Sequence, residues 1–288
     1  MNGKLTVCCC KMKCKCQVQS QSGCRGNTVK HNNRNRIRYY KTFADDFVES
    51  KNQAFHLPEG YVWIQKGRLA RAISLLLFGV AWLFGQIYCR FVLHATIENR
   101  RVLRGYRKQG YFLYGNHTQP IGDVFQPARV TGGKRTYVVA SPANLGIPVL
   151  GRLLPGMGAL PIPDSMHNMR RFWDAVRQRY RGNHCVVIYP EAHVWPYCTQ
   201  IRPFSATAFR FPIEEDAPCF CMTTTYQKRQ WGTKPKITVY VDGPFFPDKT
   251  VKRKQRQQKL CDAVFDCMQQ RSKSSTYAYI RYEKETKE

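Results

Sequence analysis

The chain has 288 residues, 43% hydrophobic and 13% aromatic, with 20 Gly and 16 Pro. That composition excludes collagen-like and low-complexity chains and leaves ample length for a buried core. Forty-six Lys and Arg against nineteen Asp and Glu give a net charge of +27, which implies an acidic partner, either nucleic acid or an anionic membrane surface.

The thirteen cysteines do not form a disulfide framework, because six of them crowd into the first 24 residues. That stretch, "CCCKMKCKC", has no C-x2-C metal spacing and no interleaved His or Asp. Residues 1–36 are expected to be a basic, Cys-rich, disordered tail. The later cysteines, such as Cys185, Cys219 and Cys221, fall in apolar runs and read as small buried hydrophobes in a reducing compartment.

Residues 37–97 are expected to hold a connector and a membrane-associated helix at about 70–90. From Ala72 to Cys89 only Ser74 and Gln86 are clearly polar. Eighteen residues make about 27 Å of helix at roughly 1.5 Å per residue, the lower limit for a bilayer core of about 30 Å. Lys66, Arg68 and Arg71 precede it and Arg90 follows. Cations on both sides leave the topology open, and a buried core helix is the competing interpretation. The next stretch, "FVLHATIENRRVL", carries β-branched residues at strand-like spacing.

Residues 98–250 read as an α/β domain, a mixed sheet flanked by helices. "YFLYGN", "TYVVAS" and "HCVVIYPEAH" are short, continuous apolar runs of the buried-strand type. "SMHNMRRFWDAVRQRYRGN" is a helix capped by Ser165, with Met169, Phe172, Trp173 and Val176 on one face, and Gly182 stops it. "SATAFRFPI" suggests a short helix, and "CFCMTTTY" and "KITVYVDGPF" two further strands. Residues 251–288 form a basic amphipathic helix and tail, with Leu260, Val264 and Met268 at i, i+4 spacing.

No nucleophile elbow, Walker loop, dinucleotide fingerprint or HExxH zinc helix occurs. The chemistry is therefore sought at strand ends, where ligands bind in open α/β sheets. His117 directly follows "YFLYGN", and histidine is the side chain suited by type to take up a proton in general base chemistry. Asp123 lies six positions on. A continuous helix would put the two about 120° apart, but Pro120 and Gly122 favour a turn, with Asp123 at the start of a short helix limited by Pro127. Glu191 and His193 occupy a second strand end, after Pro190.

In order, "GNHTQPIGD", "GALPIPD" (158–164), "IYPEAHVWP" (188–196) and "APCFCMT" (217–223) resemble the four blocks of the lysophospholipid acyltransferase superfamily, typified by 1-acylglycerol-3-phosphate O-acyltransferases. The resemblance covers about residues 70–245. Five residues separate His117 from Asp123, where the family's NHxxxxD block has four. Pro163–Asp164 and Ala192–His193–Val194 replace the family's arginine and its Gly-Thr-Arg. What the resemblance implies is a membrane-associated O-acyltransferase with the active domain facing the cytoplasm. His117 is then the general base and Asp123 its partner.

Donors in the Asn116–Thr118 turn are expected at the oxyanion, and Glu191 and His193 at the acceptor. No metal or cofactor is implied. The co-substrate is acyl-CoA or an acyl-carrier protein, and the acceptor is a membrane lipid. Lys134, Arg135, Arg170 and Arg171 are candidate replacements for the absent phosphate-binding arginines. Nucleic acid is not expected, and oligomeric state is left open. The alternatives are a non-catalytic membrane protein with this fold, or a basic nucleic-acid binder.

Overall fold

Five neighbouring strands run parallel at the centre of the computed structural model, which describes residues 36–48 and 55–285. The expected disordered tail lies almost wholly outside the described residues. In chain order the elements are β1 (Ile37–Tyr40), α1 (Arg68–Ile87), β2 (Thr96–Glu98), β3 (Tyr111–Gly115), α2 (Gly122–Thr131), β4 (Thr136–Ala140), α3 (Leu150–Met157) and β5 (Ala159–Pro161). There follow α4 (Met166–Arg181), β6 (Cys185–Ile188), α5 (Arg210–Glu215), β7 (Cys219–Gln227), β8 (Lys236–Phe245), α6 (Arg253–Ser272) and β9 (Arg281–Lys284).

The seven-stranded sheet has the order β2-β8-β7-β3-β6-β4-β5. Strands β7, β3, β6, β4 and β5 are mutually parallel, and β8 pairs antiparallel with β7, so β8 and β2 run the other way. This is a mixed α/β fold.

Side-chain alternation along β3 divides the core between the two faces of the sheet. Phe112 and Tyr114 join Phe172, Ala175 and Val176 of α4, Ile213 of α5, and Leu260, Val264 and Met268 of α6. Tyr111 and Leu113 face the opposite layer, with Cys89, Leu93, Leu103 and Val130. Ser165 caps α4 by accepting from the Asn168 amide at 3.3 Å, and Gly182 follows its last turn.

The apolar helix begins at Arg68 and continues through a π-turn, Tyr88–Val92. Over Arg68–Val92 it is long and apolar enough to cross a membrane, and only 11% of its most apolar window is buried. One side packs on α2 and α3. There Gly85 meets Phe125 and Gly156 meets Leu77 at distances that leave little room for a side chain. The other side exposes Leu69, Ile73, Leu76, Val80, Leu83 and Phe84. Ile121 and Val124 at the start of α2, Val149 just before α3, and Leu150 and Leu153 in α3 are exposed as well.

Three local expectations are corrected. "FVLHATIENRRVL" is extended only at Thr96–Glu98, because His94 and Asn99 adopt left-handed φ of 50° and 59° and break the run, and Arg100–Tyr106 forms a 3-10 helix. Second, α2 runs through Pro127 to Thr131 instead of stopping there. Third, the chain after α6 is not a plain tail: β9 pairs in parallel with β1, Ile37 opposite Arg281 and Tyr40 opposite Lys284. The segment 36–48 thereby lies over Trp195, whose ring contacts Tyr40, Phe47 and Tyr282.

Candidate active site

The C-terminal end of β3 carries the His117 turn. Gly115 ends the strand where a Cβ would stand 2.7 Å from the Tyr189 ring, so glycine lets that ring approach. Asn116 then ties the turn to β7: its Nδ2 donates to Thr224 O at 3.0 Å and its Oδ1 accepts from the Thr224 amide at 2.8 Å. Thr118 Oγ1 and the Tyr226 hydroxyl are 2.7 Å apart, and Gln119 Nε2 donates to the same hydroxyl at 2.9 Å.

The chain reverses at Pro120 and returns Asp123 to the turn. Asp123 Oδ2 lies 2.7 Å from His117 Nδ1 and accepts from the amides of Thr118 (2.8 Å) and Gln119 (2.9 Å). The Asp123 carboxylate is buried, whereas the His117 ring is partly open. Burial pushes the Asp123 carboxyl up from the usual carboxylate range, while the His117 ring and the two amides pull it back. With Nδ1 committed to Asp123, Nε2 is the ring nitrogen without a hydrogen bond among the described residues, on the open side.

Tyr189 completes this assembly. Its ring stacks on His117, with centroids 4.5 Å apart and planes 17° from parallel. Burial pushes its phenol well above the usual value, so it stays a donor, and its hydroxyl reaches Asp123 O at 2.5 Å. In an uninterrupted helix that carbonyl would accept from residue 127, and Pro127 has no N–H to give. The tyrosine supplies the missing bond.

Glu191 stands behind the turn and not in an open pocket. Its carboxylate accepts from the His117 amide (3.0 Å), the Arg202 amide (2.9 Å) and Arg202 Nη2 (2.8 Å), and both side chains of this ion pair are buried. The residue after it, Ala192, is held at φ 65°. His193 is 38% exposed with Nδ1 3.4 Å from Asp46, and does not join the His117 constellation. The amides of His117 and Thr118 are both spent on carboxylates, so neither is the free oxyanion donor expected of that turn. Asn116 and Thr118 are buried supports.

A cavity of about 190 Å³ adjoins the turn. Pro120 and Ile121 form one side, Tyr88 and Val92 at the end of the apolar helix another, and Arg229 and Lys234 supply its charge. Neither cation was singled out in the sequence, because the β7–β8 connection carrying them has no motif. Lys134 and Arg135 instead precede β4 at the opposite end of the parallel strands, and Arg170 and Arg171 lie exposed on α4.

The described residues also gather Cys221, Asp242 and Cys267 at metal-ligand spacing, but Arg271 already holds Asp242 through two bonds of 2.8 and 2.6 Å. Cys221 stands opposite Tyr114, three residues along β7 from the Thr224 that holds Asn116.

No protein-family model matches the sequence, and no curated protein does. Among solved structures, the crystal structure of the 1-acyl-sn-glycerophosphate (LPA) acyltransferase PlsC from Thermotoga maritima superimposes with a TM-score of 0.49 at 12% identity, over 72% of this chain and 84% of that one. The likeness is one of chain path.

Proposed function

We propose that the protein is a membrane-associated O-acyltransferase that moves a fatty acyl group from acyl-CoA or acyl-carrier protein to a glycerolipid hydroxyl. The observation that carries this reading is the buried Asp123 carboxylate 2.7 Å from His117 Nδ1, with Nε2 left open at a strand end. The order of the four sequence blocks supports it, as does the exposed apolar helix.

His117 Nε2 removes the proton of the acceptor hydroxyl, and the oxygen attacks the thioester carbonyl. When the tetrahedral intermediate collapses, the C–S bond breaks and the leaving thiolate takes the proton back from the imidazolium. Asp123 fixes the tautomer that presents a bare Nε2 and stabilises the ring once it is charged. Tyr189 and Glu191 hold the pair in place from behind. Arg229 and Lys234 are the cations best placed to meet a phosphate on donor or acceptor, because they share a cavity with the turn.

Acyl transfer from both donors to lyso-acceptors with and without a headgroup phosphate tests this. His117→Ala should lower the rate by on the order of 10²–10⁴ and leave membrane binding unchanged. Near-normal transfer by that variant would remove His117 from the mechanism. A non-catalytic membrane protein is the second reading, favoured by the occupied turn amides. It predicts no transfer by the wild type with any acceptor.

A further inference from the structure

A cavity of about 130 Å³ opens at the N-terminal end of β3, separated from the His117 turn by about 13 Å of strand at roughly 3.3 Å per residue. Arg100, Arg101, Arg104, Arg107 and Lys134 line it, and no acidic residue does. Among the described residues none of these five cations is in an ion pair. Even Glu98, close in sequence, pairs with none of them.

Two of the cations are set in place by the backbone. Arg100 Nε donates to Val130 O at 2.9 Å. Its guanidinium crosses Gly132, where a Cβ would stand 1.6 Å from Nη2, and the φ of 69° there favours glycine as well. Lys134 Nζ donates to Arg107 O (2.9 Å) and Tyr106 O (3.4 Å), which leaves one of its three donors uncommitted to these carbonyls. Desolvation with no carboxylate nearby lowers the Lys134 ammonium from its usual value. Preorganised cations with this geometry and no counter-charge gain from an oxyanion and repel one another without it.

We infer that this cavity is a phosphate-binding site, separate from the His117 site. Four guanidinium groups offer forked donors that match phosphate oxygens, and all four line one open cavity large enough for a phosphate group. The phosphate belongs either to a lipid headgroup or to a small soluble ester or ion, and the same recognition chemistry serves both.

The test uses the full chain in detergent, titrated with inorganic phosphate against chloride at matched ionic strength and followed by thermal shift and calorimetry. Phosphate should raise the Tm saturably. The Arg104→Gln/Arg107→Gln variant should bind on the order of tenfold more weakly or worse, as expected for lost charge-assisted bonds. Arg170→Gln/Arg171→Gln, which removes equal charge from exposed positions on α4, should bind like wild type. No saturable binding by the wild type, or equal weakening in both variants, overturns the site.

A parallel titration with dispersed short-chain phosphatidic acid separates the sources. Tighter binding than inorganic phosphate that depends on Arg104 and Arg107 assigns a headgroup, and equal binding assigns a soluble phosphate. Acyl transfer plays no part in the readout, so the result stands apart from the function proposed above.

Discussion

Tyr189 touches His117 by ring stacking and Asp123 by a hydrogen bond to the carbonyl that Pro127 leaves open. This makes two residues, 62 apart in sequence, parts of one device. Tyr189→Phe keeps the stacking and loses the bond, so it should cost about 1–3 kcal/mol of stability for an orphaned buried carbonyl and lower kcat more than it changes KM. Pro127→Ala returns an N–H to the same carbonyl, and the double variant should recover most of the loss; purely additive effects in that cycle would refute the coupling. Ala192, beside Glu191, is one of several non-glycine residues with left-handed φ. Its φ of 65° lies where glycine is favoured, so Ala192→Gly should be neutral or stabilise by up to about 1 kcal/mol in denaturant unfolding. At this scale the His117–Asp123 pair could be read from spacing and Pro120. Tyr189 could not, because its role depends on a missing proton donor in a different element.

The loop after β6 is held by the buried Glu191–Arg202 pair, which joins the His117 amide to the chain at residue 202. Removing one partner, as in Arg202→Met, leaves an uncompensated buried charge and should destabilise by about 3–5 kcal/mol in equilibrium unfolding. At the start of the same strand, His184 sits beside Arg135, Arg179 and Lys134. Burial, then these cations, depress its ring to about 4 from 6.5. The unfolded chain therefore binds a proton that the folded chain refuses between those values. This contribution is present above pH 6.5 and is lost as the pH falls toward 4. The Tm should drop over that window, and less steeply in His184→Gln.

The strands and helices with strong periodicity (β3, β4, β6, β7, β8, α4) could be recognised from apolar runs and the Ser165 cap. The helix α3 and strand β5 were hidden in "LGIPVLGRLLPGMGALPIP", where Gly and Pro obscure the pattern. Pro155 sits inside α3, and β5 is only three residues long.

At the scale of the molecule, the apolar side of α1 and the exposed residues of α2 and α3 place Ile121 and Val124 on the same stretch of chain as His117 and Asp123. On the proposed membrane association, Leu76→Lys with Leu83→Lys should move the protein from the membrane to the soluble fraction on sedimentation, since each Lys placed in the apolar part of a bilayer costs up to about 2.5–3.5 kcal/mol. Transfer to a soluble short-chain acceptor should survive in that variant. The pairing of the first and last described strands was beyond the reach of the sequence, because "IRYY" and "RYEK" are short and show no apolar alternation; what joins them is the Trp195 aromatic cluster.

That pairing has a consequence for the order of events during synthesis. β1 emerges from the ribosome long before its partner β9 exists, so the cover over Trp195 waits while the sheet assembles. The loop that supports His117 is thus sealed only after β9 has been made, and a nascent protein can hold its seven-stranded sheet while Trp195 is still uncovered.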